Sequence, residues 1–469
     1  MSEEICELGA AEMAREIRAG RLSVRETMQA HLARIERVNP RLNAIVTLHA
    51  EQALAAAAAA DEAQARGAAL GPLHGLPVAH KDLLATKGMR TTFGSRIHAR
   101  HVPARSALAV ERQQQAGAIS VGKTNTPEFG AGSQTFNEVF GATRNPYDPT
   151  KTCGGSSGGS AVALAAGMVA LADGTDMGGS LRCPANFCNV VGLRPSVGRV
   201  PQVPAVDAWD SLSVTGPMAR SVEDLALLLS VMAGPDARDP LSIAEDGARF
   251  RVPLARDFRG VRIAWSPDFG GLPVDRRVVR AIEAQRAVFE SLGCELDDAC
   301  PDFRDAHEVF MALRAHAFEC GLGPLMDRHP GMLKDTIVWN IEQGRRMSAA
   351  QLAQAQRLRS ALFQRLHRFM QRHDFVVLPV NQVLPFPVEQ PWVSEIEGVA
   401  MESYIDWMRS CYLVSATTHP AISVPCAFSD EGLPIGLQIV GRHRGEFELL
   451  QLAHAFEQAT GIGRRRPPP

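Results

Sequence analysis

Apolar residues recur at helical spacing from Leu8 to Ala19 and from Val24 to Val38, the second run opening on Ser23 as its cap. Ala50 to Arg66 is rich in alanine, carries charged flanks and stops at Gly67, which predicts an ordinary helix packed closely against a neighbour. The first seventy residues therefore read as helical. From Gly71 the pattern changes. Short β-type runs, Pro77 to His80 and Ala118 to Val121, alternate with helical ones such as Ser106 to Gln115, and that alternation predicts an α/β architecture. Glycine and serine then concentrate between Gly141 and Gly198, interleaved with Ala-, Val- and Leu-rich segments. This fits backbone forced into close approach better than it fits a linker.

Further along, residues 235–250 are polar and read as a surface connection. Val261 to Trp265 reads as a strand, Val278 to Leu292 as a helix, and another short strand follows by residue 297. Residues 303–373 are mainly helical. Strands are expected at Phe375 to Val380, Ala421 to Pro425 and Leu433 to Val440, with a last helix over 446–459. No internal repeat and no domain boundary shows, so residues 1–469 read as one unit.

Composition narrows the partners. A chain of 469 residues, 45% of them hydrophobic, has a core large enough to bury polar catalytic groups. With 49 basic and 51 acidic residues, net charge −2, there is no electrostatic case for nucleic acid or an anionic membrane. The tail Arg464-Arg-Arg-Pro-Pro-Pro is too short to be a nucleic-acid patch. Nine cysteines are scattered and odd in number, and Cys183 and Cys188, with four residues between them, lack the usual zinc spacing. Reduced thiols in a cytoplasmic protein are expected, with no metal. The acidic start, Met1 to Glu7, matches neither a secretory signal nor a transit peptide. Ser160 to Ala172, the longest small-apolar stretch, is too short to span a bilayer.

Two motifs match by letter and fail on physics. Gly117 to Thr124 fits the phosphate-loop pattern G-x-x-x-x-G-K-[ST]. That loop must lie between a strand and a helix; here a helix precedes it, Ile119-Ser-Val121 looks like strand, and Pro127 obstructs a following helix. The match reads instead as a strand ending in a Gly-Lys-Thr turn. Gly154 to Gly158 contains G-x-S-x-G, the nucleophile elbow, which requires a strand immediately before the serine. Asn145 to Thr152 supplies a Pro-rich turn in its place.

Three segments fit together better: Gly75 to Asp82, a short apolar strand ending in Lys81; Cys153-Gly-Gly-Ser-Ser-Gly-Gly-Ser160, leading into a helical run; and Asp173-Gly-Thr-Asp-Met-Gly-Gly-Ser-Leu-Arg182. Together they resemble the amidase signature family, in which a Ser–Ser–Lys triad replaces Ser–His–Asp. Gly117 to Phe129, Gly192 to Arg199, Pro420 to Pro425 and Glu431 to Gly441 also look like family segments, so the resemblance covers roughly residues 5–230 and 405–460. It implies a single α/β/α sandwich around a large mixed β-sheet, with residues 65–230 as the catalytic core and 300–410 as a variable region lining the substrate pocket. It places Lys81, Ser156 and Ser180 at the lysine, relay-serine and nucleophile positions, with a cis peptide bond between Gly155 and Ser156.

Each residue type suits such chemistry. A serine hydroxyl is a poor nucleophile until a base takes its proton. Lysine is that base only when neutral, and burial lowers its pKa. Backbone N–H groups of Met177, Gly178, Gly179 and Ser180 would receive the oxyanion. Thr175 and Ser157 read as hydrogen-bonding supports, and Arg182 as a structural partner of Asp176. Met177 stands where the family usually has threonine, Cys153 where proline is frequent, and His80 where an apolar residue is usual. His80 reads either as a satisfied strand histidine or as a group tuning the entrance to the site.

The expected reaction is hydrolysis of a small amide through an acyl–Ser180 ester, releasing ammonia or an amine, with no metal or organic cofactor. Aryl amides, anilides and carbamates lie within reach of the same chemistry. Two other readings remain open: a glutamine-hydrolysing component of an amidotransferase, working with a partner chain, and a catalytically inert scaffold on this fold. A homodimer is also allowed. Lacking a cluster of Arg or Lys to hold a carboxylate, the sequence favours an uncharged aryl or aliphatic amide. Residues 125–137, 305–345 and 380–410 are expected around the pocket, with Trp339, Phe386, Trp392, Tyr404 and Trp407 as candidate apolar walls.

Overall fold

A computed structural model describes residues 2–468. Its centre is an eleven-stranded mixed sheet. In chain order the strands are β1 (Ile45–Leu48), β2 (Pro77–Lys81), β3 (Ile119–Thr124), β4 (Leu171–Asp176), β5 (Val191–Arg194), β6 (Val214–Ala219), β7 (Arg262–Trp265), β8 (Glu295–Asp298), β9 (Phe375–Pro379), β10 (Ala421–Phe428) and β11 (Pro434–Val440). Their spatial order is β1-β3-β2-β4-β6-β5-β10-β11-β9-β7-β8. The strands β3, β2 and β4 are mutually parallel, as are β9, β7 and β8, while the pairs between β4 and β9 are antiparallel.

Side-chain alternation divides the core into two layers. In β9, Phe375 and Val377 face one apolar cluster, and Val376 and Leu378 face the other. In β7, Ile263 and Trp265 join the first cluster and Ala264 the second. Helices Ala10–Arg18, Val24–Leu42, Gly158–Ala165, Val222–Met232 and Glu446–Thr460 contribute to the first layer. The second is built from Ala306–Arg328, Ala349–Met370 and Arg409–Ala416. The result is the α/β/α sandwich around a large mixed sheet that the family resemblance implies.

Most predicted elements are present within a few residues. Ser23 caps its helix with a full capping box to Glu26, and the helix runs on to Leu42. The helix expected over 278–292 is two, Arg276–Glu283 and Arg286–Ser291, because the Gln285 N–H turns tightly to Ile282 O at 2.9 Å. Gly122, Lys123 and Thr124 form no turn. They continue β3, since β1 pairs antiparallel along them. Lys123 is fully buried and its Nζ donates to Leu84 O and Thr86 Oγ1, so this lysine is a structural tie beneath the sheet edge. All nine cysteines are free thiols, and no group of His, Cys, Asp or Glu among the described residues is arranged to hold a metal. No described helix is long and apolar enough to cross a membrane.

Candidate active site

The parallel pairing of β2 with β4 brings the C-terminal ends of both strands to one edge of the sheet. Lys81 is the last residue of β2, and Thr175 and Asp176 close β4. The helix Gly158–Ala165 precedes β4 and runs back against it, so its N-terminal end, with Ser156 and Ser157, arrives at the same edge. Glycine permits that approach: a Cβ on Gly159 would stand 2.3 Å from the Asn125 nitrogen of the β3 loop. The turn after β4 then carries Met177 to Ser180. Topology alone therefore assembles three segments that lie far apart in the chain.

The side chains meet at this edge. Lys81 Nζ lies 2.7 Å from Ser156 Oγ and 2.8 Å from Thr175 Oγ1. Ser180 and Ser156 open on one cavity of about 140 Å³. The peptide bond between Gly155 and Ser156 is cis. Ser157 ties the two loops together: its N–H donates to Ser180 O at 3.1 Å, and its hydroxyl bridges the Thr175 backbone N–H and C=O, each at 3.3 Å.

Burial decides the charge of Lys81. The side chain is wholly enclosed, and desolvation pushes its pKa down to about 7, against the pull of Asp176 and Asp173, which act in the other direction. The Nζ···Oγ contact serves both protonation states. The ammonium donates to Ser156; the free amine accepts the Ser156 proton through its lone pair.

Asp173 and Asp176 are each balanced. Burial alone would raise the Asp176 pKa, but the guanidinium groups of Arg182 (3.0 Å) and Arg194 (3.2 Å) hold it well below the usual carboxylate range. Asp173 accepts the Lys81 N–H at 2.9 Å, His80 Nδ1 at 2.6 Å and Gln113 Nε2 at 3.0 Å. His80 Nε2 lies 2.7 Å from Ser120 Oγ, which also accepts from Gln114. Of the two readings of His80, the fully partnered strand histidine is the one observed.

The expected oxyanion loop needs one correction. The Gly179 N–H is not directed to the cavity; it donates to Asp176 Oδ1 at 2.9 Å, as the Leu181 N–H does to Oδ2 at 3.1 Å. The carboxylate that anchors the loop takes the donor. The N–H groups of Met177, Gly178 and Ser180 have no partner among the described residues. Gly179 is nonetheless required, with φ +121° and a would-be Cβ 2.5 Å from Cys411 Cβ.

The cavity is walled by Leu83, Phe129, Met177, Phe318, Ile405 and Met408, with Arg314 as its one charged side chain among the described residues. None of the five aromatic residues expected from the sequence forms this wall. Trp407 lies in the core, stacked on Phe187 and edge-on to Phe386, and Tyr404 stands behind the wall, hydrogen-bonded to Arg314. Asp173, Arg194 and Arg314 were not anticipated in these roles. No spacing marks them, because their partners come from distant strands and helices.

Comparison with known proteins places the chain among amidases. The family model described as Amidase matches residues 26–450. An acylamidase of Rhodococcus erythropolis is 36% identical over 463 residues, covering 98% of this chain and 97% of that protein. A glutamyl-tRNA(Gln) amidotransferase subunit of Synechococcus sp. (strain CC9605) is 36% identical over 476 residues, 96% of either chain. Among solved structures, a bacterial aryl acylamidase of the amidase signature family superposes with a TM-score of 0.91 at 29% identity, covering 98% of this chain and 99% of that one.

Proposed function

The chain belongs to the amidase signature family and is a hydrolase of carbon–nitrogen bonds in amides, and from that premise we propose that Ser180 is its nucleophile, Ser156 its proton relay and Lys81 its general base. The observation that carries this reading is the buried Lys81 Nζ, 2.7 Å from Ser156 Oγ and held near neutrality by desolvation, beside a cavity that Ser180 shares.

In the proposed reaction Ser180 Oγ attacks the amide carbonyl. Its proton passes to Ser156 as the Ser156 proton passes to Lys81 Nζ. The oxyanion of the tetrahedral intermediate is received by the N–H groups of Met177, Gly178 and Ser180. Collapse breaks the C–N bond, and the proton held on Lys81 returns through Ser156 to the departing nitrogen. Water then attacks the acyl–Ser180 ester by the same relay, releasing the acid and restoring the serine. No step calls for a cofactor. Acyl amides, aryl amides among them, are the substrate class supported by likeness to the Rhodococcus acylamidase and the aryl acylamidase.

Likeness to amidotransferase subunits keeps glutamine in view. Glutamine carries an α-ammonium, and no acidic side chain lines the cavity among the described residues, which favours the simple hydrolase. Glutaminase activity together with co-purification of a partner chain would reverse that preference.

The test is turnover of a panel of amides, anilides, carbamates and glutamine by the wild type and by Ser180→Ala, Ser156→Ala and Lys81→Ala. Ser180→Ala is expected to lose at least ~10⁴-fold in kcat and all labelling by a fluorophosphonate. Full activity of Ser180→Ala on the best substrate would disprove the assignment.

A further inference from the structure

Arg314 projects from the helix Ala306–Arg328 into the catalytic cavity, and it is 4% exposed. A guanidinium so deeply enclosed normally faces a carboxylate, because an uncompensated buried charge is costly. Its partners here are all neutral. Nε donates to Asn340 Oδ1 at 3.1 Å, one Nη to Tyr404 OH at 2.7 Å, and the other Nη reaches only Met177 Sδ at 3.4 Å. The face of the guanidinium lies 4.5 Å over the Phe318 ring, which positions the cation and leaves its charge in place.

Donors and acceptors around this cation do not balance. The Asn340 amide is fully used, since its Nδ2 donates to Thr336 O at 2.6 Å and to Tyr404 OH at 2.7 Å. Tyr404 OH therefore accepts twice, from Arg314 and from Asn340, and its own proton is left to donate. The Tyr404 ring stands 3.9 Å from a would-be Cβ on Gly132, a residue of the cavity wall. The Nη on the Met177 side has a thioether as its only acceptor among the described residues. A carboxylate in the cavity supplies what is missing: negative charge, and lone pairs for the Nη that reaches only sulfur.

We infer that the cavity accepts an amide bearing a carboxylate, held by Arg314 while Ser180 attacks the carbonyl and with Tyr404 positioning the guanidinium from behind the wall, in place of the uncharged amide expected from the sequence. This rests on the hydrolase reading above and names the substrate class of the same site. Arg314 is then a specificity-determining residue, and Met177, in contact with it, links substrate recognition to the oxyanion loop.

The experiment compares kcat/KM within two matched pairs. Glutarate monoamide against pentanamide places the carboxylate on the acyl side; 4-acetamidobenzoate against 4-methylacetanilide places it on the amine side. Wild type should prefer the charged member of one pair by about 50-fold, and the pair that responds identifies the side. Arg314→Met should bring that ratio close to one, and Tyr404→Phe, which keeps the guanidinium, should lower it about 10-fold. Should Arg314→Met lack a cooperative melt, Arg314→Lys carries the same ratio test, with a fall expected because the bidentate fork is lost. Wild type preferring the neutral member of both pairs would overturn the inference, as would both members falling in parallel in the Arg314 variant. If the wild type is labelled at Ser180 by a fluorophosphonate but, unlabelled, turns over neither pair, protection from labelling by glutarate or 4-acetamidobenzoate supports the inference and its absence overturns it. Loss of labelling in the wild type would sink the hydrolase reading itself, a separate failure.

Discussion

Thr175→Val removes one of the two hydrogen bonds that hold Lys81 Nζ and keeps the shape of the side chain. The wild-type contact is 2.8 Å, between a fully buried amine and a hydroxyl on the neighbouring strand. A hydrogen bond to a charged group contributes about 1.5–3 kcal/mol, against about 0.5–1.5 for a neutral one. The substitution therefore harms the ammonium more than the amine, by about 1–1.5 kcal/mol, which is about one pKa unit. Since burial already brings Lys81 down to about 7, the variant should titrate about one unit lower. The sign is distinctive. The base form of Lys81 populates above its pKa, so the acid limb of the kcat/KM profile should move to lower pH. The plateau should fall by about 10-fold, because Nζ is less firmly held beside Ser156. Initial rates from pH 5 to 10 on the best amide provide the measurement, with Thr175→Ser restoring both features. An acid limb that moves upward, or a plateau and limb that both stay where they are, would refute the assignment of the limb to a desolvated Lys81 supported by Thr175.

Two more substitutions probe the scaffold beneath the triad. Asp176→Asn leaves Arg182 and Arg194 buried without their counter-charge, so stability in urea should fall by about 3–5 kcal/mol, and an unchanged unfolding midpoint would count against the pairing. In the wild type, this depressed carboxylate contributes stability that is complete above its unfolded pKa near ~4 and is lost as pH falls further. Gly179→Ala must adopt φ +121° with its Cβ against Cys411, so the loop has to shift. We expect kcat to drop about 10²-fold while the thermal unfolding transition stays cooperative, and wild-type turnover would show that the loop tolerates displacement.

Legibility in the sequence followed the range of the forces involved. Ser23 and Glu26 announce a helix start because a capping box is local, and Lys81 could be placed at a strand end because Pro77 to Ala79 is an apolar run beside it. The short edge strand Ile45–Leu48 shows no usable alternation, being four residues between two helices. For the same reason Gly122 to Thr124 looks like a turn, since only pairing with that strand extends β3. Leu171–Asp176 has three polar residues among its six, and its partners on both sides make it a strand. The proposed triad is legible through family resemblance, whose motifs carry its spacing. The Gly179 N–H was misassigned because a glycine-rich turn does not reveal which donor its own anchoring carboxylate will take. Arg314 was illegible for a different reason: a single arginine on a helix looks solvated until three distant segments enclose it.

Desolvation brings Lys81 to about 7 although two carboxylates stand nearby and each of Asp173 and Asp176 raises its pKa. Burial outweighs them, and neither carboxylate is left without partners of its own. Asp176 is engaged by two guanidinium groups and by the N–H groups of its own loop. Asp173 is engaged by His80, Gln113 and the backbone of Lys81 itself. These partners do more than balance charge. Asp176 fixes the turn that carries Ser180, and Asp173 fixes the strand end that carries Lys81. The same bonds that hold the carboxylates therefore set the relative position of the proposed nucleophile and base, which is why loosening either acid should disturb that geometry.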